Sequence, residues 1–380
     1  MERKPVIRPG ATIGVLGGGQ LGRMLALAAR SFGYHVKVLD PEPKCPAEPV
    51  VDRVITARFD DVEAAAELAR ESDVITIEIE RVSRAALAEA ARYCPTRPSA
   101  EVLALAQDRR VEKAWLNDHG FQTAPYRVAT SVEELTEAAT FFGECVAKTA
   151  TEGYDGRGQA RLTGAAHATA AWQSLGGKPC VVEAWLALDL ELSVIVARNP
   201  SGEVRTYPPA LNHHLNQILD WSVLPGPIKP DLAHRAEKVA RQIAETLQLE
   251  GLLAIEFFAL PDGRLLVNEM APRPHNSGHA TTEACLTSQF EQLVRACCNL
   301  PLGSTEALRP VAIANLLGDL WAKGDPRFED ALSVEGVTLH LYGKETARPG
   351  RKMGHLSATA KTPEEAVARA MEARRRLGGS

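Results

Sequence analysis

Two apolar runs, Leu252-Leu253-Ala254-Ile255-Glu256-Phe257-Phe258 and Leu265-Leu266-Val267-Asn268-Glu269, flank the segment Pro261-Asp262-Gly263-Arg264. Both read as strands, and Asp-Gly between apolar strands is the signal of a two-residue hairpin loop. Pairing 261 with 264 then sets Glu256 opposite Glu269, with both carboxylates on one face of the hairpin. Like charges facing each other across a ladder are destabilising, and a cation between them removes the conflict. Oxygen-only ligands of this kind suit magnesium held together with phosphates. A pair of solvent-facing glutamates on an edge hairpin satisfies the same spacing. Directly after Glu269, the run Met270-Ala271-Pro272-Arg273-Pro274-His275-Asn276-Ser277-Gly278-His279 has two prolines and many polar donors, the makings of a ligand-binding loop.

A chain of 380 residues exceeds one ordinary core, so two or three domains of a mixed α/β protein are expected. A net charge of -5 excludes the dominant positive field of a general nucleic-acid or membrane-surface binder. The basic run Arg374-Arg375-Arg376 suits the C-terminal end of a helix. The seven cysteines include no C-x-x-C spacing, which supports neither a zinc site nor a disulfide framework and fits a reducing cytosol. The start, Met1-Glu2-Arg3-Lys4-Pro5, lacks the apolar segment of a signal peptide, and no run of about 18 apolar residues is present to cross a bilayer. A cytoplasmic protein is expected.

Strand and helix patterns alternate over the first hundred residues: strands at 12–16, 35–39 and 73–78, helices at 20–32 and 62–70. This is a βαβαβ unit. A helix is expected at 107–117, strands at 145–149 and 180–183, and long helices at 231–247 and 289–298. The last part holds strands near 311–316 and 336–341, a basic turn over 344–355, and a helix opened by Thr362-Pro363-Glu364-Glu365. Boundaries follow at 1–107, 108–303 and 304–380.

Gly17-Gly18-Gly19-Gln20-Leu21-Gly22 matches G-x-G-x-x-G after a first strand, and Asp40 ends the second strand where a dinucleotide-binding protein holds a ribose. That points to NAD and an oxidoreductase. The same glycines serve equally to expose backbone N–H groups at a helix N-terminus to any phosphate or carboxylate, or simply to allow close packing. Lys148 ends a strand and is followed by a glycine-rich loop through Gly153, Tyr154, Asp155, Gly156, Arg157, Gly158 and Gln159. Such a loop can cover phosphates, although it is not a Walker P-loop. His275 and His279 stand four apart, but Pro272 and Pro274 argue against the helix a zinc pair needs and favour a polar substrate loop. Lys344, Arg348, Arg351 and Lys352 crowd one turn, either as a phosphate site or as a solvated basic loop.

Together these residues resemble the ATP-grasp superfamily, and within it the N5-carboxyaminoimidazole ribonucleotide synthetases. The carriers are the stretch from Gly17 to Met24, Glu78-Ile79-Glu80, Gln107-Asp108-Arg109, the Gly153 to Gln159 loop, and Glu191-Leu192-Ser193-Val194. The most specific are Asn268 through His279 and Arg348-Pro349-Gly350-Arg351-Lys352-Met353-Gly354-His355. The resemblance implies a three-part α/β fold: a Rossmann-like pre-ATP-grasp domain, a central ATP-grasp domain with a small lid at about 125–187, and a small C-terminal domain. It implies an ATP-dependent ligase of purine biosynthesis that uses ATP and magnesium to carboxylate 5-aminoimidazole ribonucleotide (AIR) with bicarbonate through carboxyphosphate. A homodimer is implied as well. By position, Arg109 and Lys148 meet ATP phosphates under the Gly153 to Gln159 loop. Glu183, Ala184, Trp185 and Leu186 hold adenine, Glu191 the ribose, and His214, Asn268 and Glu269 complete the nucleotide site. Glu256 and Glu269 bind magnesium. Gln20, Leu21 and Glu80 approach AIR, with Lys344, Arg351 and Lys352 on its phosphate; Tyr154, Arg157, Arg273 and Lys344 act at the reacting groups. The family loop has glycine where Glu152 stands and arginine at Ala150, and Ala184 replaces its usual Glu or Gln. A formate-dependent glycinamide ribonucleotide transformylase shares the domain order and is the alternative within the superfamily.

Overall fold

The computed structural model describes residues 5–151, 153, 158–322 and 324–378. Four parallel strands form the N-terminal sheet in the order Arg53–Thr56, His35–Asp40, Thr12–Leu16, Val74–Ile77. The alternation in sequence produces this directly, because parallel neighbours need crossovers, here supplied by helices such as Gln20–Ser31 and Val62–Arg70. Asp61 caps the second of these, its carboxylate accepting the Ala64 N–H.

A second sheet is antiparallel and small, in the order Tyr126–Ala129, Cys180–Ala184, Cys145–Thr149, Gln159–Leu162. Its core gathers Ala138, Ala139 and Leu135 of helix Val132–Phe142 with Ala147, Leu162 and Val182.

The third sheet has nine strands and runs from Leu265–Ala271 and Gly251–Ala259 through Leu190–Arg198, Ala210–Leu215 and Ile218–Leu224. It continues without a break into Val311–Leu317, Lys352–Thr359 and Val337–Leu341, while Val204–Thr206 pairs with Leu190–Arg198 off this path. One face is apolar: Leu192, Val194, Val196, Leu253, Ile255 and Phe257 pack on helix Pro230–Thr246 through Leu232, Ala236, Ala240 and Ile243. Those helix positions follow the 3.6-residue period, and full burial of Ile243 alone stabilises by about 2 kcal/mol. Strand alternation turns the intervening residues, Glu191, Ser193 and Glu256, to the other face. That face carries the polar residues.

Several expectations are corrected. The helix read over 107–117 is two helices, Ala100–Gln107 and Arg109–Asp118, broken at Asp108. Asp108 has extended backbone and accepts the Arg110 N–H on Oδ1, so the acidic residue acts as an N-cap and makes Arg109 the first residue of a new helix. The basic turn is shorter than read, since Lys352–Thr359 is a strand paired with Val311–Leu317. The hairpin loop holds three residues rather than two: the Gly263 N–H donates to Leu260 O and the Leu260 N–H to Arg264 O, with Gly263 at φ 85°. A type I turn closed by a left-handed glycine explains this, because proline favours the first turn position and Gly supplies the positive φ.

Candidate active site

The longer turn displaces the hairpin register by one residue, and a bulge restores it. Phe257 pairs with Val267 and Glu256 pairs with Glu269, leaving Asn268 as the extra residue. Glu256 and Glu269 therefore do oppose each other, but only because two irregularities cancel. The bulge also re-aims Asn268 into the cleft, a common use of bulges beside sites.

Asn268 is held from two directions. Its side-chain oxygen accepts from Lys148 Nζ at 3.3 Å and its carbonyl from Lys113 Nζ at 3.0 Å. Both lysines converge on Glu183: Lys148 Nζ lies 2.7 Å from Oε2 and Lys113 Nζ 2.9 Å from Oε1. Lys113 is 0% exposed. Burial works against ionisation of Glu183, but Lys148 and then Lys113 outweigh it and hold its pKa down at about 2. Glu183 thus fixes two ammonium groups with its carboxylate. Lys113 is a site residue that sequence reading missed; its signal is its place one helical turn after Arg109, on the same face of Arg109–Asp118. Between them Glu112 accepts the Met270 N–H at 2.7 Å, and burial, opposed by Arg109, pushes its pKa up to about 8.

Arg109 NH1 donates to Glu269 Oε2 at 2.7 Å, and His275 Nε2 lies 3.2 Å from Glu256 Oε1. Each of the opposed carboxylates thus has its own partner, a guanidinium for Glu269 and an imidazole for Glu256. Burial and then Glu269 raise the pKa of Glu256; for Glu269, burial opposes ionisation but Arg109 lowers the pKa overall. His275 is pushed down to about 3 by burial, Arg273 and Lys352, so its ring is neutral. Two carboxylates on adjacent strands are a donor set for a hard cation. Among the described residues no group of three or more His, Cys, Asp or Glu side chains could hold a metal. A magnesium ion that takes its remaining ligands from phosphates and water fits this pair. The zinc pairing of His275 with His279 does not form, because the residues diverge. His275 caps the short 3-10 turn Asn276–Ala280, and His279 is buried against Gln289, His355 and Phe290.

Further along the same face Glu191 Oε2 lies 2.9 Å from His214 Nδ1. Burial opposes protonation of this ring, yet the bond to Glu191 raises its pKa overall. At the edge of the small sheet, the Ala184 N–H donates to Pro125 O and the Trp185 N–H to Glu144 O. Trp185 is 46% exposed with Arg161 stacked 4.0 Å over its ring, and Leu186 is half-buried beside it.

Of the glycine-rich loop, Tyr154, Asp155, Gly156 and Arg157 lie outside the described residues, as does Glu152. Its base is defined: Gln159 pairs with Lys148, and the Thr149 N–H donates to Gly158 O at 2.8 Å. Ala150 is buried, and both its backbone groups are bonded, to Pro179 O and from the Arg109 N–H.

Across the cleft, Arg273 Nε lies 2.7 Å from Glu80 Oε1, while Gln107 Nε2 holds the Glu80 and Val82 carbonyls. Lys344 Nζ donates to Lys352 O at 2.6 Å and Arg351 to Thr346 O at 2.9 Å, so these basic residues shape one loop. Lys352 also bears electrostatically on Glu256 and His275. The dinucleotide reading of the N-terminal glycines fails. Glu78 accepts the N–H groups of Gly19, Leu21 and Gly22 at 2.8, 3.1 and 3.0 Å, and Asp40 accepts those of Gly18 and Glu42 at 2.8 Å each. The phosphate seat and the ribose acceptor are both taken by the chain itself.

Three family models match: a ribonucleotide synthetase preATP-grasp domain over 10–107, an ATP-grasp domain over 114–290, and a phosphoribosylaminoimidazole carboxylase C-terminal domain over 311–369. The chain is 42% identical over 363 residues to the N5-carboxyaminoimidazole ribonucleotide synthase of Bacillus subtilis, covering 95% of this chain and 94% of that one. The enzyme of the same name from Pseudomonas aeruginosa is 40% identical over 344 residues, covering 90% and 93%. Among solved structures, an ADP complex of an N5-carboxyaminoimidazole ribonucleotide synthetase superposes with a TM-score of 0.92 at 42% identity, covering 98% of both chains. The Aspergillus clavatus N5-carboxyaminoimidazole synthase, in complex with ADP and 5-aminoimidazole ribonucleotide, gives 0.89 at 32% identity, covering 97% and 99%. Matched by all three domain models and aligned over nearly its whole length, this chain belongs to the N5-carboxyaminoimidazole ribonucleotide synthase family of ATP-grasp enzymes.

Proposed function

We propose that this chain carboxylates AIR with bicarbonate at the expense of ATP, releasing ADP and phosphate, in purine biosynthesis. The observation that carries this reading is the convergence of Arg109, Lys148, Asn268 and Glu269 on the hairpin bulge beside Glu256. Such a cluster suits a triphosphate and its metal. Arg109 is paired with Glu269 now; an arriving phosphate draws the guanidinium to itself and leaves that carboxylate open. Glu256 and Glu269 would hold magnesium, which when bound spreads the charge of the transferring phosphoryl group.

A bicarbonate oxygen attacks the γ-phosphorus and the bond to ADP breaks, giving carboxyphosphate. This species breaks down to carbon dioxide and phosphate, and the exocyclic amine of AIR bonds the carbon with loss of one proton. Carboxyphosphate is lost to water, so the Gly153 to Gln159 loop, with Tyr154 and Arg157, serves to cover the reacting groups. Arg273, now on Glu80, is set to meet the anionic intermediate once AIR engages Glu80. Gln20 and Leu21 approach the AIR ring, and Lys344, Arg351 and Lys352 its phosphate. Glu183, Ala184, Trp185 and Leu186 take adenine, and Glu191 with His214 the ribose. The same reading takes the chain as a homodimer in the cytoplasm, with domains at 1–107, 108–303 and 304–380.

ADP release with magnesium, ATP and bicarbonate, measured with and without AIR and followed by mass detection of product, tests it. AIR-stimulated release with carboxylated product is expected. Stimulation only by glycinamide ribonucleotide with formate would overturn it. Sedimentation equilibrium checks the dimer.

A further inference from the structure

The glycine-rich turn after the first strand is shaped around a carboxyl group that belongs to the chain. Helix Gln20–Ser31 begins with no side-chain cap from its own N-cap residue, Gly19, and no acidic residue in its first turn. Helices ordinarily satisfy their first N–H groups with one or the other. Here Glu78, 8% exposed and arriving from the end of strand Val74–Ile77, accepts from Gly19, Leu21 and Gly22 together. The glycines make room for it: a Cβ on Gly19 would sit 2.5 Å from Glu78 Oε1 and 3.0 Å from Oε2, and one on Gly17 would run into Glu78 Cγ. Gly19 has φ -71°, which any residue adopts, so its need to be glycine comes from the carboxylate and not from the backbone.

We propose that Glu78 is a positioning residue, a carboxyl group of the chain itself that occupies the phosphate seat of this turn and thereby fixes the Gln20–Leu21 backbone at the ribonucleotide end of the cleft. The inference rests on the reading that Gln20 and Leu21 approach AIR. Where a dinucleotide enzyme leaves this helix end free for pyrophosphate, a built-in carboxylate satisfies the same N–H groups and leaves no room for a second anion. The turn then becomes a rigid wall for substrate.

The test uses the full-length chain with Glu78→Gln, Glu78→Ala, Gly19→Ala and the Gly19→Ala/Glu78→Ala double variant. In steady-state assays, Glu78→Gln is expected to raise the KM for AIR about tenfold, as losing charge-assisted bonds to a substrate-facing element does, with the KM for ATP unchanged. Acetate, added as a free carboxylate, is expected to raise the melting temperature of Glu78→Ala and lower its KM for AIR, while leaving the parent unaffected. Gly19→Ala should impair the parent but cost little in the Glu78→Ala background, a non-additivity that direct contact requires. Equal rises in both KM values, or additive effects of Gly19→Ala and Glu78→Ala, would overturn the proposal. If the parent does not act on AIR, the functional reading fails instead. The acetate effect on melting still decides the internal carboxyl group, because no stabilisation of Glu78→Ala by acetate means no vacated anion seat.

Discussion

Lys113 illustrates how a buried charge is placed before it is used. It makes no contact with solvent, and its ammonium joins Glu183 to the bulge carbonyl of Asn268. Replacing it with Met leaves Glu183 with Lys148 alone and strands a carbonyl, and removing one partner of a buried pair costs about 3–5 kcal/mol. Lys113→Met should therefore melt well below the parent and bind ATP more weakly than AIR, read by calorimetry and by KM for each substrate; an unchanged melting temperature would show the pair to be dispensable. Glu269→Gln is the opposite case. It relieves the repulsion with Glu256, while Arg109 keeps Glu112 nearby, so the fold should survive. ATP hydrolysis should fall by at least about 100-fold, since loss of mere outer partners of a metal already costs 10–100-fold. Near-normal turnover would remove Glu269 from the metal site.

The hairpin makes its point through register. Its ladder near the turn pairs Ala259 with Leu265, and the bulge at Asn268 shifts the pairing so that Glu256 meets Glu269. Deleting Asn268 is expected to give a regular ladder with the two carboxylates still opposed, because the deleted residue is the unpaired one. Such a variant should keep its circular dichroism yet lose ATP-dependent protection of the lid from proteolysis, as Lys148 and Lys113 lose one of their two shared partners and keep only Glu183. Retained protection would show that the bulge does not organise the nucleotide site. The break at Asp108 matters similarly. One uninterrupted helix over 100–118 would carry Arg109 in its interior, whereas the break lets the Arg109 N–H bond Ala150 O and joins the helix start to the base of the loop.

The continuous nine-stranded sheet joins the central and C-terminal segments, and three imidazoles seal the junction. His355 stacks between His340 and His279, with centroids 4.5 and 4.7 Å away, and its Nδ1 meets the Tyr342 hydroxyl at 2.9 Å. Glu283 holds the outer ring, His340, and Gln289 holds His279. Burial, reinforced by the neighbouring rings, puts the pKa values of His279 and His355 well below 6.5, so both are neutral in the fold. The unfolded chain protonates them near 6.5 and binds more protons below that pH. Their contribution is thus intact above pH 6.5 and is lost as pH falls beneath it, by about 1.4 kcal/mol per pH unit for each ring. His355→Phe should flatten the decline in melting temperature between pH 7 and pH 5.5. An identical slope in parent and variant would assign the acid sensitivity elsewhere.

Local sequence determined the elements and much of the chemistry. Period-2 and period-3.6 patterns define strands such as Cys145–Thr149 and helices such as Pro230–Thr246, and Thr362 caps helix Pro363–Leu377 as its Thr-Pro-Glu-Glu start implies. The opposed glutamates and the lysine before a glycine-rich loop were legible because each depends on neighbours a few residues away. Tertiary structure alone decided which anion fills the N-terminal glycine turn, since Glu78 lies 59 residues from Gly19 and nothing local announces it. It decided the roles of Lys113 and Glu183 as well, whose partners come from other strands and helices. The sequence specifies a backbone donor or a charge by local rules; what satisfies it, substrate or side chain, depends on which distant segment packing brings within about 3 Å.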